Sequence, residues 1–162
     1  MASKSSASTS FLEALDESVR NTLLELSTTR SFERGELLIL EGSEGDSMLM
    51  IGKGALEVTR GDVTLARLDK GAVVGEMALL DPAPRSASVI ATSSGKAYEL
   101  SRETFLSLLD EKDPTALALL QLLTATVCDR LGKVNKMVEN EVIKPEPDSG
   151  FKGLWKRIRS AL

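Results

Sequence analysis

Glu76 and Arg85 stand nine residues apart in the stretch GAVVGEMALLDPAPRSASVIA, residues 71–91, and they carry two complementary kinds of recognition chemistry. An arginine is always charged, and its planar fork fits two phosphate oxygens at once, which matches it to a phosphodiester. A glutamate repels phosphate but accepts hydrogen bonds from a sugar hydroxyl. A ligand that joins both features in one small body is a 3′,5′-cyclic nucleotide, whose phosphate is a diester and whose 2′-hydroxyl is free. The alternative is a structural ion pair on a loop of a β protein.

The intervening residues suit that division of work. Gly75 lets the backbone come close to a ligand without a side chain in the way. Glu76 to Leu80 are good helix formers, enough for one short turn whose amino end directs amide groups outward, a ready place for an anion. Asp81-Pro82-Ala83-Pro84 stops the turn and delivers Arg85 in an extended segment, with the Ser86 hydroxyl beside it.

These residues need a scaffold, and the flanking sequence describes one. Phe11, Leu12, Leu15, Val19, Leu23 and Leu26 recur at helical spacing, with Ser10 placed as the cap. From Ser31 to Leu100 short apolar runs are cut by glycines. LLIL (37–40), MLMI (48–51), ALEV (55–58), VTLARL (63–68) and SVIA (88–91) read as strands, Gly61-Asp62 as a tight hairpin turn, and Tyr98-Glu99-Leu100 as a closing strand. Many short strands at this spacing predict a mainly β fold with flanking helices, a jelly-roll β-barrel. Ser101 reads as the cap of a helix carrying Thr104, Phe105, Leu108 and Leu109. Asp113-Pro114 opens a long helix that carries Leu120, Leu123, Val127, Leu131, Val134, Val138 and Val142.

Composition bounds the function. With 162 residues, 42% of them hydrophobic, the chain suits one domain, and a net charge of −4 offers no basic field for nucleic acid. No histidine is present, which removes the commonest metal ligand and general base, so neither catalysis nor a bound metal is expected. A single cysteine allows no internal disulfide, and the amino end has no apolar core to read as a signal or membrane span, so a cytoplasmic location is expected.

The run Gly75-Glu76-Met77-Ala78-Leu79-Leu80 followed by Pro84-Arg85-Ser86-Ala87-Ser88 resembles the phosphate-binding cassette of cyclic nucleotide-binding domains, the family of protein kinase A regulatory subunits, cyclic-nucleotide-gated channels and the bacterial catabolite activator protein. The likeness extends from about Phe11 to Val142. It implies that Glu76 meets the ribose 2′-hydroxyl and that Arg85 and Ser86 hold the phosphate. The backbone of Gly75 and Met77 would lie close by, Ala78 and Ala87 would complete the ligand-binding set, and Leu79 would shift when ligand binds. Many members have phenylalanine just before Gly-Glu, where this chain has Val74, a difference that bears on local packing. The resemblance implies cyclic AMP ahead of cyclic GMP as the ligand, although a hydroxyl residue such as Ser86 beside the arginine occurs in binders of both. No further cofactor is implied.

In that family the last helix covers the base, and Asn135 is a polar group that either meets a purine edge or is simply exposed to solvent. The stripe Val127, Leu131, Val134 and Val138 steps by four, three and four, which fits either packing on the chain's own barrel or a homodimer seam. Cys128 reads as a buried structural cysteine. Residues 42–46, Gly-Ser-Glu-Gly-Asp, read as a polar turn and Arg60-Gly61-Asp62 as a coincidental hairpin tip. The resulting division is a disordered tail at 1–10, the nucleotide domain at 11–143, a proline-rich linker at 144–150 and a basic amphipathic helix at 151–162. That last segment sets Phe151, Leu154, Trp155, Ile158 and Leu162 on one face, which suits docking on a protein partner or on its own domain, lying on an anionic membrane surface, or remaining mostly disordered. A helix-turn-helix or an effector domain finds no room after the long helix. The expected function is therefore a stand-alone receptor that signals through altered contacts with a partner protein. The alternative is a scaffold or membrane-surface protein that acts through the terminal helix without nucleotide.

Overall fold

The run MLMI, apolar at every position rather than at alternate ones, marks a strand buried on both faces, and two cores meet on it. In the computed structural model, which describes residues 10–142, this strand is β3 (Ser47–Lys53). Met48 and Met50 point into one apolar cluster, while Leu49 and Ile51 point into another.

The remaining strands are β1 (Thr28–Phe32), β2 (Leu37–Ile39), β4 (Leu56–Arg60), β5 (Val63–Leu68), β6 (Val73–Val74), β7 (Ser88–Ala91) and β8 (Gly95–Ser101). They form two four-stranded sheets in the orders β1-β8-β3-β6 and β2-β7-β4-β5, with every pairing antiparallel. The second cluster takes side chains from both sheets, among them Phe32, Leu49 and Ala97 from one and Leu38, Leu56 and Val89 from the other, so it is the interior of the jelly roll. The first cluster covers the outer face of the β3 sheet with helical residues: Leu23 of α1 (Glu17–Leu26), Leu79 of α2 (Met77–Leu80), Phe105 of α3 (Arg102–Asp110) and Leu119 and Leu123 of α4 (Pro114–Val142).

Strands β5 and β7 occupy the runs read from sequence, and Gly61, at φ +54, makes the β4–β5 turn. The caps also stand where predicted: the Thr104 amide donates to Ser101 Oγ at 3.1 Å, and the Thr115 amide to Asp113 Oδ1 at 2.7 Å. The first helix differs from the expectation. It begins at Glu17, and residues 11–15 form turns instead. Ser10 does not cap α1. Its hydroxyl and the Phe11 amide both donate to the carbonyl of Gly71, at 3.2 and 2.9 Å, and so tie the chain's entry to the barrel. Phe11 and Leu15 are buried all the same, so the apolar spacing reported burial correctly and helix continuity wrongly.

The described residues fall into two compact units that divide inside α4, between Leu123 and Thr124. In the second unit Leu131 is 57% and Val134 53% exposed, and Val127 is half-buried. Cys128 is exposed, contrary to the expectation of a buried thiol, because this stretch of α4 leaves even the apolar Leu131 and Val134 uncovered. Among the described residues no helix is long and apolar enough to cross a membrane. The tail up to Thr9, the proline-rich linker and the basic amphipathic segment at 151–162 lie outside the described residues.

Candidate functional site

Strand β6 ends at Val74, and the chain turns at once through Gly75, whose φ of +76 suits glycine and strains any other residue. Glu76 follows in right-handed helical geometry as the residue before α2, and Val74 and Leu79 are buried on either side of it. The cassette is thus nailed to the barrel at both ends by apolar side chains, and the polar group between them cannot drift. Glu76 itself is only 3% exposed.

The helix turn closes through Ala78 N to Gly75 O (3.1 Å), Leu79 N to Glu76 O (3.1 Å) and Asp81 N to Met77 O (2.9 Å). The proline-flanked segment then runs back along the loop between β2 and β3. Arg85 N donates to Ser43 O and Gly42 N donates to Arg85 O, both at 2.8 Å, so the arginine backbone is clamped like a short strand pair against that loop. Its guanidinium reaches inward, where Nη1 donates to Gly75 O at 3.3 Å and Nη2 to Ser47 Oγ at 3.4 Å.

Two glycines make room for this arrangement. A Cβ on Gly75 would fall 2.5 Å from Arg85 Nη1 and 3.2 Å from Ser47 O. A Cβ on Gly45 would fall 3.0 Å from Ala78 Cβ and 3.2 Å from both Ala83 O and Arg85 Cδ. Burial pushes the pKa of Arg85 down from its ordinary value, opposed by the negative charges of Asp46, then Glu99, then Glu76. The guanidinium therefore stays a cation, partly stripped of water and held among acceptors. A cavity of about 300 Å³ opens beside it, lined among others by Arg30, Leu38, Asp46, Ser47, Glu99 and Arg85.

The structure gathers Gly75 and Ala78 around Arg85 and sets Glu76 close enough to act on its charge, while Arg85 is the one residue of the predicted set that lines the cavity. The balance within this group differs from the simple facing pair, because Asp46 and Glu99 act on Arg85 more strongly than Glu76 does. The Ala78 amide is spent on Gly75 O and the Ala78 side chain is buried, so of the outward amides expected from α2 that one is closed off. Met77 is 52% exposed, Ser86 is exposed and Ala87 half-buried, all three on the cassette. Asn135 is exposed on α4 and belongs to the second unit.

Four residues of the site escaped the sequence reading: Gly45, Asp46, Ser47 and Glu99. The first two sit in the polar turn at 42–46, whose glycines at 42 and 45 are the signal the sequence offers for them. Among the described residues no group of three or more histidine, cysteine, aspartate or glutamate side chains is arranged to hold a metal ion.

Residues 29–112 match the family described as cyclic nucleotide-binding domain, a span that contains the whole cassette and both sheets apart from one residue of β1. The chain is similar to the cAMP-dependent protein kinase regulatory subunit of Hypocrea atroviridis, 36% identical over 98 residues that cover 60% of this chain and 21% of the relative. It is also similar to human cGMP-dependent protein kinase 2, 29% identical over 138 residues that cover 81% of this chain and 18% of the relative. Among solved structures, the catabolite activator protein of Thermus thermophilus superposes with a TM-score of 0.69 at 25% identity, over 80% of this chain and 61% of that one. The chain thus spans about a fifth of the length of the two kinase relatives. With a family match over half of its length, a shared two-sheet fold and the Gly75–Ser88 cassette folded around a half-buried arginine, the chain belongs to the cyclic nucleotide-binding domain family.

Proposed function

We propose that this chain is a cyclic-nucleotide receptor module without catalytic activity of its own, which converts nucleotide binding into altered contacts with a protein partner. The observation that carries the reading is the half-buried Arg85 cation, fixed by Gly75 O and Ser47 Oγ in the same cassette as Glu76, a carboxylate that is 3% exposed. Arg85 and Ser86 hold the cyclic phosphate, Glu76 accepts from the ribose 2′-hydroxyl, and the backbone of Gly75, Met77 and Ala87 lines the sugar and phosphate. Cyclic AMP is the ligand assigned ahead of cyclic GMP; the 36%-identical relative is named for the former and the 29%-identical one for the latter.

Calorimetric titration of the chain with each nucleotide, repeated with Arg85→Ala, tests the reading. A charge-assisted contact is worth about 1.5–3 kcal/mol, so the variant is expected to bind at least about tenfold more weakly while melting as a folded protein. Equal affinity in the two proteins refutes the assignment. A nucleotide-dependent change in protease cleavage near Asp148 to Lys152 tests the output step, and identical cleavage with and without ligand counts against it.

A further inference from the structure

The geometry points to Glu99 as a positioning residue that sets Arg85 for the phosphate, an inference that rests on the receptor reading of this site. Ser47 links the two. Its hydroxyl donates to Glu99 Oε1 at 2.7 Å and accepts from Arg85 Nη2 at 3.4 Å, and Ser47 is only 6% exposed. A serine hydroxyl has one proton and two lone pairs, and the proton goes to whichever acceptor holds it best. The carboxylate at 2.7 Å takes it, which leaves a lone pair for the guanidinium. Without that acceptor the hydroxyl is free to rotate and present its own proton to Arg85, a donor facing a donor.

The pairing of strands makes the relay rigid. Leu49 stands opposite Glu99 and Ser47 opposite Ser101 in the β3–β8 ladder, so Ser47 and Glu99 are diagonal neighbours on one face of two central strands. Glu99 also supplies negative charge next to a cation that burial disfavours. Arg30, which lines the same cavity, is engaged elsewhere through Glu36 at 3.5 Å and Leu38 O at 3.4 Å. The two bonds to Gly75 O and Ser47 Oγ use two of the five guanidinium N–H groups, and the rest stay available to a phosphodiester. A free arginine carries about 2 kcal/mol of rotamer entropy. Holding it in place before the ligand arrives moves part of that loss from binding to folding.

The test compares Glu99→Ala and the near-isosteric Glu99→Gln with the wild-type chain. Each protein is titrated calorimetrically with cyclic AMP and cyclic GMP, and the Arg85 side chain is followed by ¹⁵N NMR without ligand. The relay predicts affinity about tenfold weaker for Glu99→Ala and about threefold weaker for Glu99→Gln, whose amide oxygen still accepts from Ser47. It also predicts that Arg85 Nη signals resolved in the wild type merge through faster rotation in Glu99→Ala. Wild-type affinity in folded variants overturns the inference, and so does weaker binding with unchanged Arg85 signals, which marks a merely structural effect. If Glu99→Ala does not fold, Glu99→Gln is judged by the same two readouts. A wild-type chain that binds neither nucleotide overturns the receptor reading, and the Arg85 signals still report whether Glu99 holds the guanidinium.

Discussion

Replacing Gly75 by alanine separates two roles that this glycine plays at once. The first is conformational: at φ +76 a residue with a Cβ is strained by about 1–2 kcal/mol, a loss that lowers the melting temperature of a chain this size by a few degrees. The second is spatial. The new Cβ would lie 2.5 Å from Arg85 Nη1, so the guanidinium must retreat by roughly 1 Å to reach ordinary contact, and the 3.3 Å bond to Gly75 O is lost. If Arg85 holds the phosphate as proposed, misplacing it should forfeit a charge-assisted contact of about 1.5–3 kcal/mol, or about tenfold or more in affinity. Gly35 supplies the control, since its φ of +87 is equally unsuited to alanine while nothing lies within 4 Å of its added Cβ. Thermal melts should thus place Gly35→Ala and Gly75→Ala at similar stability, and calorimetry should find only Gly75→Ala impaired in binding. Unchanged affinity in Gly75→Ala, or an equal loss in Gly35→Ala, would refute the claim that the glycine serves the arginine.

If Glu76 reads the sugar, the wild-type chain should bind a 2′-deoxy cyclic nucleotide about tenfold more weakly than the ribose form, and Glu76→Ala should close that gap in a competition assay; a gap that persists removes Glu76 from the sugar contact. Ser101→Ala should cost about 1 kcal/mol in chemical denaturation through loss of the bond from the Thr104 amide, with nucleotide affinity unchanged. Hydrogen bonding to Thr115 holds the Asp113 carboxyl below the usual carboxylate range. A depressed folded pKa stabilises the fold above the unfolded value of about 3.9 and ceases to do so as pH falls through the folded value. Urea midpoints measured downward from about pH 5 should therefore fall less steeply in Asp113→Asn than in the wild type, and parallel curves would show that the cap carries no acid-linked stability.

The sequence disclosed those features whose cause is local. The β4–β5 hairpin follows from Gly61-Asp62 between two apolar runs, the α3 cap from Ser101 three residues ahead of Thr104, and the cassette from a glycine, a helical turn, a proline stop and an arginine in that order. What stayed hidden depends on distant pairing. Strand β1, TTRSF, carries little apolar signal and exists because β8 supplies its partners from Glu99 to Gly95, and β6 is two residues held against Leu49 and Met50. The start of α1 was misjudged because Phe11 and Leu15 are buried by a turn anchored on Gly71, and periodicity in apolar residues reports burial rather than continuity. The same limit applies within the site. Glu99 lies 52 residues from Ser47 in sequence, and only the β3–β8 register makes them neighbours.

That register also explains why the site can be both acidic overall and suited to an anion. Asp46, Glu99 and Glu76 all act on Arg85, so their charges outnumber that of the guanidinium they surround, within a chain of net charge −4. A long-range field of this sign does not draw a phosphodiester inward, and affinity has to arise at contact, where direction matters more than net charge. Directed donors achieve this only if the carboxylates have their own hydrogen-bond donors and do not turn toward the ligand. Glu99 meets that condition through Ser47, and the proposed role of Glu76 on the sugar would turn it away from the phosphate. The acids then keep a partly dehydrated arginine charged and in place, and the ligand meets N–H groups rather than carboxylate oxygens. Association of nucleotide should accordingly quicken as added salt screens the repulsion between like charges, whereas a cradle working by electrostatic attraction would slow under the same change, as stopped-flow measurements at two ionic strengths can distinguish.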